Sequence, residues 1–194
     1  MSPALAVIAL WAGFALSWIA AMPWSSTPEK RAGMGREIAY RIVLIAGGVI
    51  FFIPAHGYVG PLRLWFLPHA AVWPAVGLIA LGFLFAWWAR IRLGALWSGQ
   101  VTKKADHRVV DTGPYRIVRH PIYTGILLAV YATAALKGTV PGLAGAAIIT
   151  LGLWMKARLE EGFLREELGP DYDAYRARVP MLMPLGTRSA SDGL

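Results

Sequence analysis

The sequence has no cysteine, which excludes disulfides, cysteine–zinc centres and a thiol nucleophile. Charge is scarce: 15% of the 194 residues are Asp, Glu, Lys or Arg, against about a quarter in a soluble domain. No Gly-x-Gly-x-x-Gly follows a strand pattern and there is no P-loop, so neither common nucleotide cradle is encoded. A Gly-x-Ser-x-Gly elbow is also missing, which excludes the hydrolase built on it. The acidic residues avoid the apolar runs, so no ion pathway is marked out within them.

What the chain has is apolar length. It is 57% hydrophobic with nine tryptophans, and its mean hydropathy is +0.51. Its length suits one domain. Five apolar runs stand out, at residues 4–22, 38–53, 70–91, 122–136 and 140–157. They approach the ~20 residues needed to cross ~30 Å of hydrocarbon, the second and fourth falling short. The first has no basic segment before it and exceeds a signal-peptide core, so a retained span is expected. Only "KGTV" separates the last two, which predicts a helical hairpin. Gly142, Gly145 and Gly152 on its second arm permit close helix approach. The fold expected is all-α, with about five transmembrane helices and a C-terminal helical segment.

Net charge is +8 and the isoelectric point is near 10.1. The basic residues flank apolar runs, which points to anionic lipid headgroups and topology, and not to nucleic acid. Seventeen lysines and arginines fall in the segments after runs one, three and five, and two, Arg63 and Lys137, fall on the other side. The positive-inside rule then sets the N-terminus outside and the C-terminus in the cytoplasm. Residues 92–121 and 156–184 meet on the cytoplasmic side.

Nearly all the candidate chemistry sits in those two segments. The first contains "GPYRIVRHPIYTG". Gly113-Pro114 marks a turn. Pro121 suits the first turn of a helix and leaves His120 at its N-terminal end, where free N–H groups favour a carboxylate. Tyr115 and Tyr123 offer flat faces and hydroxyls. Val109 and Val110 form a short apolar strip suited to an extended backbone. Gln100 and His107 add polar handles. His107 and His120 stand thirteen apart without a third ligand, so no metal is expected. The second segment reads "KARLEEGFLREELGPDYDAYRARVP". Lys156 and Glu160 are four apart and share a helix face. Leu164, Leu168, Tyr172 and Tyr175 recur at near-helical spacing, which would fold the tail back over the mouth of the bundle.

These two elements together resemble the isoprenylcysteine carboxyl methyltransferase family and its bacterial and archaeal relatives, within a wider group of membrane phospholipid methyltransferases. The resemblance covers about residues 95–184. It implies a methyltransferase that binds S-adenosyl-L-methionine on the cytosolic face, between the loop before the hairpin and the C-terminal segment. By matching positions it implies cofactor contacts from Gln100, His107, Arg108, Val109, Val110 and Tyr115 in the loop. His120, Pro121, Ile122 and Tyr123 would contribute at the helix start, and Glu160 across from them. Lys156, Arg119 and Glu161 are the candidate catalytic residues. The acceptor implied is lipophilic, prenylated or lipid-borne, reaching the site from the bilayer. In one place the chain departs from the family: an arginine near the acceptor carboxylate is replaced by Lys156, which keeps the charge but loses the two-pronged fork.

The expected organisation is a scaffold of three helices over residues 1–91, a cofactor-binding and catalytic region over 92–184, and a flexible tail over 185–194. One alternative is a phospholipid N-methyltransferase acting on phosphatidylethanolamine-type amines, which would need a base such as Glu161 or His120. Another is a non-catalytic small transporter or assembly protein. The basic asymmetry is checked by reporter fusions at Lys137 and at the C-terminus. They are expected to report opposite sides of the membrane, and agreement between them would overturn the topology.

Overall fold

The computed structural model describes residues 1–24, 30–31, 34–53, 60–94, 102–103 and 109–184. Each apolar run becomes a helix, most with a local reason for where it starts or stops. In α1 (Pro3–Ala20) the Ser2 side chain accepts from the Leu5 N–H, satisfying one orphan donor of the first turn. α2 spans Met34–Phe52 and α3 spans His69–Leu93. α4 (Pro121–Lys137) has proline at its start and stops at Gly138, which is left-handed at φ 55° and ψ 37°. α5 (Val140–Leu168) is capped by Thr139, whose hydroxyl accepts from Gly142 N–H at 3.2 Å. A short α6 (Pro170–Arg178) follows. Two-residue strands, β1 (Lys30–Arg31) and β2 (Thr102–Lys103), pair antiparallel and join the connection after α1 to the one after α3.

The chain is an all-α membrane protein. α1, α3 and α5 are long and apolar enough to cross a membrane, and α4 is a shorter apolar helix. Two helices exceed the runs read from sequence. α2 starts four residues before the expected 38, so its first turn contains Glu37, which is buried and joined to Arg41 at 2.6 Å. That pairing is what lets a carboxylate enter an apolar helix. α5 continues eleven residues past 157 without a break. Its 29 residues extend about 44 Å at ~1.5 Å each. The last turns, with Glu160 and Glu161, therefore stand beyond or at the edge of a ~30 Å hydrocarbon layer.

The closest pairs are α3 with α4 and α2 with α5. Gly82 and Gly125 make the first possible. A Cβ on Gly82 would stand 2.5 Å from the Gly125 carbonyl oxygen, and one on Gly125 would overlap the Gly82 carbonyl. In the second pair, a Cβ on Gly145 would meet the Phe51 backbone at 2.6 Å and one on Gly152 the Leu44 side chain at 2.7 Å. Gly145 and Gly152 thus do permit close approach, to α2. Gly142 serves the turn itself. Small residues matter here because lipid tails compete with side chains for apolar contact, leaving packing to hold helices together.

α1 lies on the outside and is held by aromatic contacts. Phe14 stacks on Phe83 at 4.2 Å, Trp11 meets Phe83 edge-on at 4.9 Å, and Trp11 Nε1 donates to Thr133 Oγ1 at 3.1 Å. Arg90 joins the C-terminal ends of two helices, donating to Gly94 O at 2.8 Å and to Ala21 O at 3.0 Å. At the opposite end, Lys137 Nζ donates to Phe51 O and, at 2.7 Å, to Ile53 O. Arg63 donates to Lys137 O at 2.9 Å, and Leu64 N–H to Gly138 O at 2.8 Å.

Two glycines of α3 test this packing. Gly82→Val is expected to destabilise by about 1–3 kcal/mol through overpacking. Gly77, which has open space around it, should accept alanine with unchanged or slightly raised stability. Thermal unfolding of both variants in one detergent measures the contrast, and equal stabilities would refute the crossing.

Candidate functional site

The polar residues gather at the end of the bundle where α2 and α4 begin and α3 finishes. Four features of the chain place them. Pro121 starts α4 and fixes His120 as the residue before it, at φ −121° and ψ 63°. α5 carries Lys156, Glu160 and Glu161 past that point. The 3₁₀ turn at Gly113–Arg116 buries Pro114 and Tyr115. After α6 the chain returns across the start of α4, where Arg119 N–H donates to Pro180 O at 2.9 Å and His120 N–H to Met181 O at 3.0 Å. Thr124 Oγ1 adds a bond to Leu182 O at 2.7 Å.

Two adjacent glutamates then share one imidazole. His120 Nε2 is 3.2 Å from Glu161 Oε1, and His120 Nδ1 is 3.5 Å from Glu160 Oε2. The ring stacks on Tyr123 with centroids 5.4 Å apart and the two planes nearly parallel. Burial on its own would favour the neutral ring. The hydrogen bonds to Glu160 and then Glu161, with both negative charges, outweigh it and raise the His120 pKa above its ordinary value.

The glutamates differ in surroundings. Glu161 is enclosed: Arg119 Nε donates to its Oε1 at 2.7 Å, and Arg176 Nε stands 3.4 Å from Oε2, an ion pair by distance without hydrogen-bond alignment. Arg119 also donates to the carbonyls of Arg176, at 3.1 Å, and Val179. Arg119 therefore locks α4, α5 and α6 together. Glu160 is more open, with 19% of its side chain exposed against 4% for Glu161. It accepts from Tyr123 Oη at 2.6 Å and lies 3.8 Å from Lys156 Nζ. Lys156 Nζ is 5.4 Å from the Tyr123 ring centroid and 5.8 Å from that of Tyr40, both within cation–π reach.

The residues singled out from sequence divide into three groups. His120, Tyr123, Glu160, Lys156, Arg119 and Glu161 are brought together. Val109, Val110, Tyr115, Pro121 and Ile122 are beside them as packing. Val109 joins the cluster of Tyr172, Tyr175, Val179, Leu164 and Leu168, so the tail does fold back, and Val110 and Tyr115 join the main core. Tyr175 Oη donates to Tyr115 O at 2.7 Å. Burial, with Tyr175 and Glu160 nearby, pushes the Tyr115 hydroxyl pKa far up, so it stays protonated. Gln100, His107 and Arg108 lie outside the described residues. Among the described residues no cluster of His, Asp and Glu could hold a metal ion. The sequence reading missed Tyr40 on α2, which carries no motif, and Arg176, which stands within the quoted tail motif.

This arrangement defines a class: a helical membrane protein with a largely enclosed acidic and aromatic site at one end of its bundle. A family model fits that class. Residues 70–171 match the model for phospholipid methyltransferase, and the chain belongs to that family. It is 32% identical over 117 residues to a protein-S-isoprenylcysteine O-methyltransferase of Schizosaccharomyces pombe, covering 57% of this chain and 48% of that one. It is 32% identical over 135 residues to methanethiol S-methyltransferase 2 of Bradyrhizobium diazoefficiens, covering 64% and 51%. A methanethiol S-methyltransferase of Pseudomonas deceptionensis is 41% identical over 70 residues, 36% of this chain and 26% of that one. The chain spans about half the length of the first two. The resemblance expected from the His-Pro and tail motifs is borne out.

The imidazole gives a pH test. Because the folded His120 pKa is raised, its stabilisation is full below the unfolded value of ~6.5 and fades as pH rises through the folded value. The melting-temperature advantage of the wild type over His120→Gln is expected to be larger near pH ~6 than near pH ~9. A constant difference across that range would show that the histidine is not charged between the glutamates.

Proposed function

We infer that this chain is an S-adenosyl-L-methionine-dependent methyltransferase of the membrane, acting on a lipid-borne or prenylated acceptor that presents a carboxylate. The observation that carries the reading is Glu160. It is the carboxylate left partly open, flanked by an aromatic ring and by His120, one helical turn from Lys156. S-adenosylmethionine, when bound, supplies an electrophilic methyl group on a sulfonium that is already a good leaving group.

The residues suit that group chemically. Its ammonium and sulfonium charges match the Glu160 carboxylate and the Tyr123 face. Its carboxylate matches the start of α4, where no side-chain cap takes the N–H groups of Ile122 and Tyr123. The work left to the protein is alignment and electrostatics. Arg119 and Glu161 have their charge spent on each other and on the tail, which suits them to holding His120 and α4 in register. Lys156 would draw an anionic head towards the site and repel an ammonium, which favours a carboxylate over a phosphatidylethanolamine-type amine. A carboxylate also needs no base before attack. The acceptor would enter sideways from the bilayer and the cofactor from the cytoplasm, with the N-terminus outside and the C-terminus inside.

The direct test incubates purified protein with methyl-labelled S-adenosylmethionine and total membrane lipid, then identifies the labelled product. Absence of cofactor binding would return the chain to the transporter or assembly class. Within the site, Glu160→Gln is expected to weaken cofactor affinity by about ten- to a hundredfold, the loss of one charge-assisted hydrogen bond. Lys156→Ala should leave that affinity nearly intact and lower turnover. The reverse pattern, weak cofactor binding with normal turnover at saturation, would exchange the two roles.

A further inference from the structure

Tyr40 stands outside the stretch matched by the family model, which begins at residue 70. It is on α2, and its side chain is among the most enclosed polar groups of the chain, 3% exposed. Its hydroxyl has no hydrogen-bond partner among the described residues. Arg41 is close enough to interact with it, but the contact does not meet hydrogen-bond geometry. A buried hydroxyl without a well-aligned hydrogen bond loses its hydration for little in return, so such groups are few in folded proteins. Phenylalanine would fill the same volume beside α5 without that penalty.

The surroundings show what the hydroxyl faces. The Tyr40 ring is 5.8 Å from Lys156 Nζ, which is itself 5.4 Å from the Tyr123 ring and 3.8 Å from Glu160. Tyr40 is therefore a near neighbour of the site. It approaches from the α2 side, at the level of Lys156, one helical turn further into the bundle than Glu160. Arg41, next in sequence, has 45% of its side chain exposed and is held by Glu37 at 2.6 Å. A cation and a donor hydroxyl thus stand together where α2 meets α5, while the Arg41 charge is taken up by Glu37. The geometry points to Tyr40 as the contact that receives the head of the methyl acceptor, its hydroxyl donating to an anionic oxygen or sulfur, with Lys156 supplying the opposing charge. This rests on the methyltransferase reading above and adds to it the surface that recognises the acceptor and the charge the acceptor must carry. α2 is then part of the site, although no motif in it signals this.

The test uses the full chain in detergent, as wild type and as Tyr40→Phe. Cofactor affinity is measured by calorimetry. Binding and methylation are measured with S-farnesyl-N-acetylcysteine as a lipid-borne carboxylate, 1-octanethiol as a simple thiol, and phosphatidylethanolamine vesicles as the amine. Tyr40→Phe is expected to melt at the same temperature as the wild type or higher and to bind S-adenosylmethionine within about twofold of it. Its KM for whichever anionic probe is used should rise by about tenfold, the scale of one lost hydrogen bond. The probe that responds identifies the source of the anion. An unchanged KM, an equal loss of cofactor affinity, or methylation of phosphatidylethanolamine alone would each overturn the assignment while leaving the cofactor reading in place. A wild type that binds no S-adenosylmethionine would instead bring down the methyltransferase reading, and this one with it.

Discussion

Charge that has left water must find charge of the opposite sign, and this molecule meets that demand most fully at one carboxylate. Glu161 is 3% exposed and takes an arginine from the start of α4, an imidazole beside it and an arginine from α6. Removing one partner of such a group typically costs about 3–5 kcal/mol, because the remaining charge stays buried. Arg119 in turn spends its other donors on the carbonyls of Arg176 and Val179. A single ionic knot therefore fixes where the helical hairpin starts, where the chain turns back after α5, and how the final described segment lies across both.

The neighbouring glutamate benefits without being consumed. His120 is pinned from one side by Glu161 and by its own backbone bond to Met181, so it can present its other nitrogen to Glu160. Tyr123 and Lys156 complete the surroundings of that carboxylate. The two glutamates differ in exposure: the enclosed one organises the elements around it, and the other keeps 19% of its side chain open.

Much of this could be read from the chain. The apolar runs located α1, α3 and α4 to within two residues at either end, because composition sets length and proline or glycine sets the ends. "RHP" placed His120 at a helix start, since proline is acceptable there and costly a turn later. The spacing of Leu164, Leu168, Tyr172 and Tyr175 gave the fold-back of the tail. Other features had no sequence signal. Glu37 enters α2 only because Arg41 is one turn away to pair with it. The bonds from Arg119 and His120 to Pro180 and Met181 run through the backbone, whose groups are the same at every residue. Tyr40 belongs to the site through the close approach of α2 to α5, and that approach depends on small residues distributed over two helices.

The two ends of the bundle are fastened by different means. At the end away from the site, Lys137 is bonded to the last carbonyls of α2, and Arg63, Leu64 and Trp65 are bonded to the turn between α4 and α5. All of these bonds have main-chain carbonyls as acceptors, groups that neither titrate nor have rotamers to exchange. At the site end, among the described residues, α2 meets α5 through a side-chain contact, the Tyr40 ring over the Lys156 ammonium group. Resistance to parting the two helices is therefore graded along their length. The pair is fastened most firmly at the turn beside Lys137 and least at Tyr40 and Lys156.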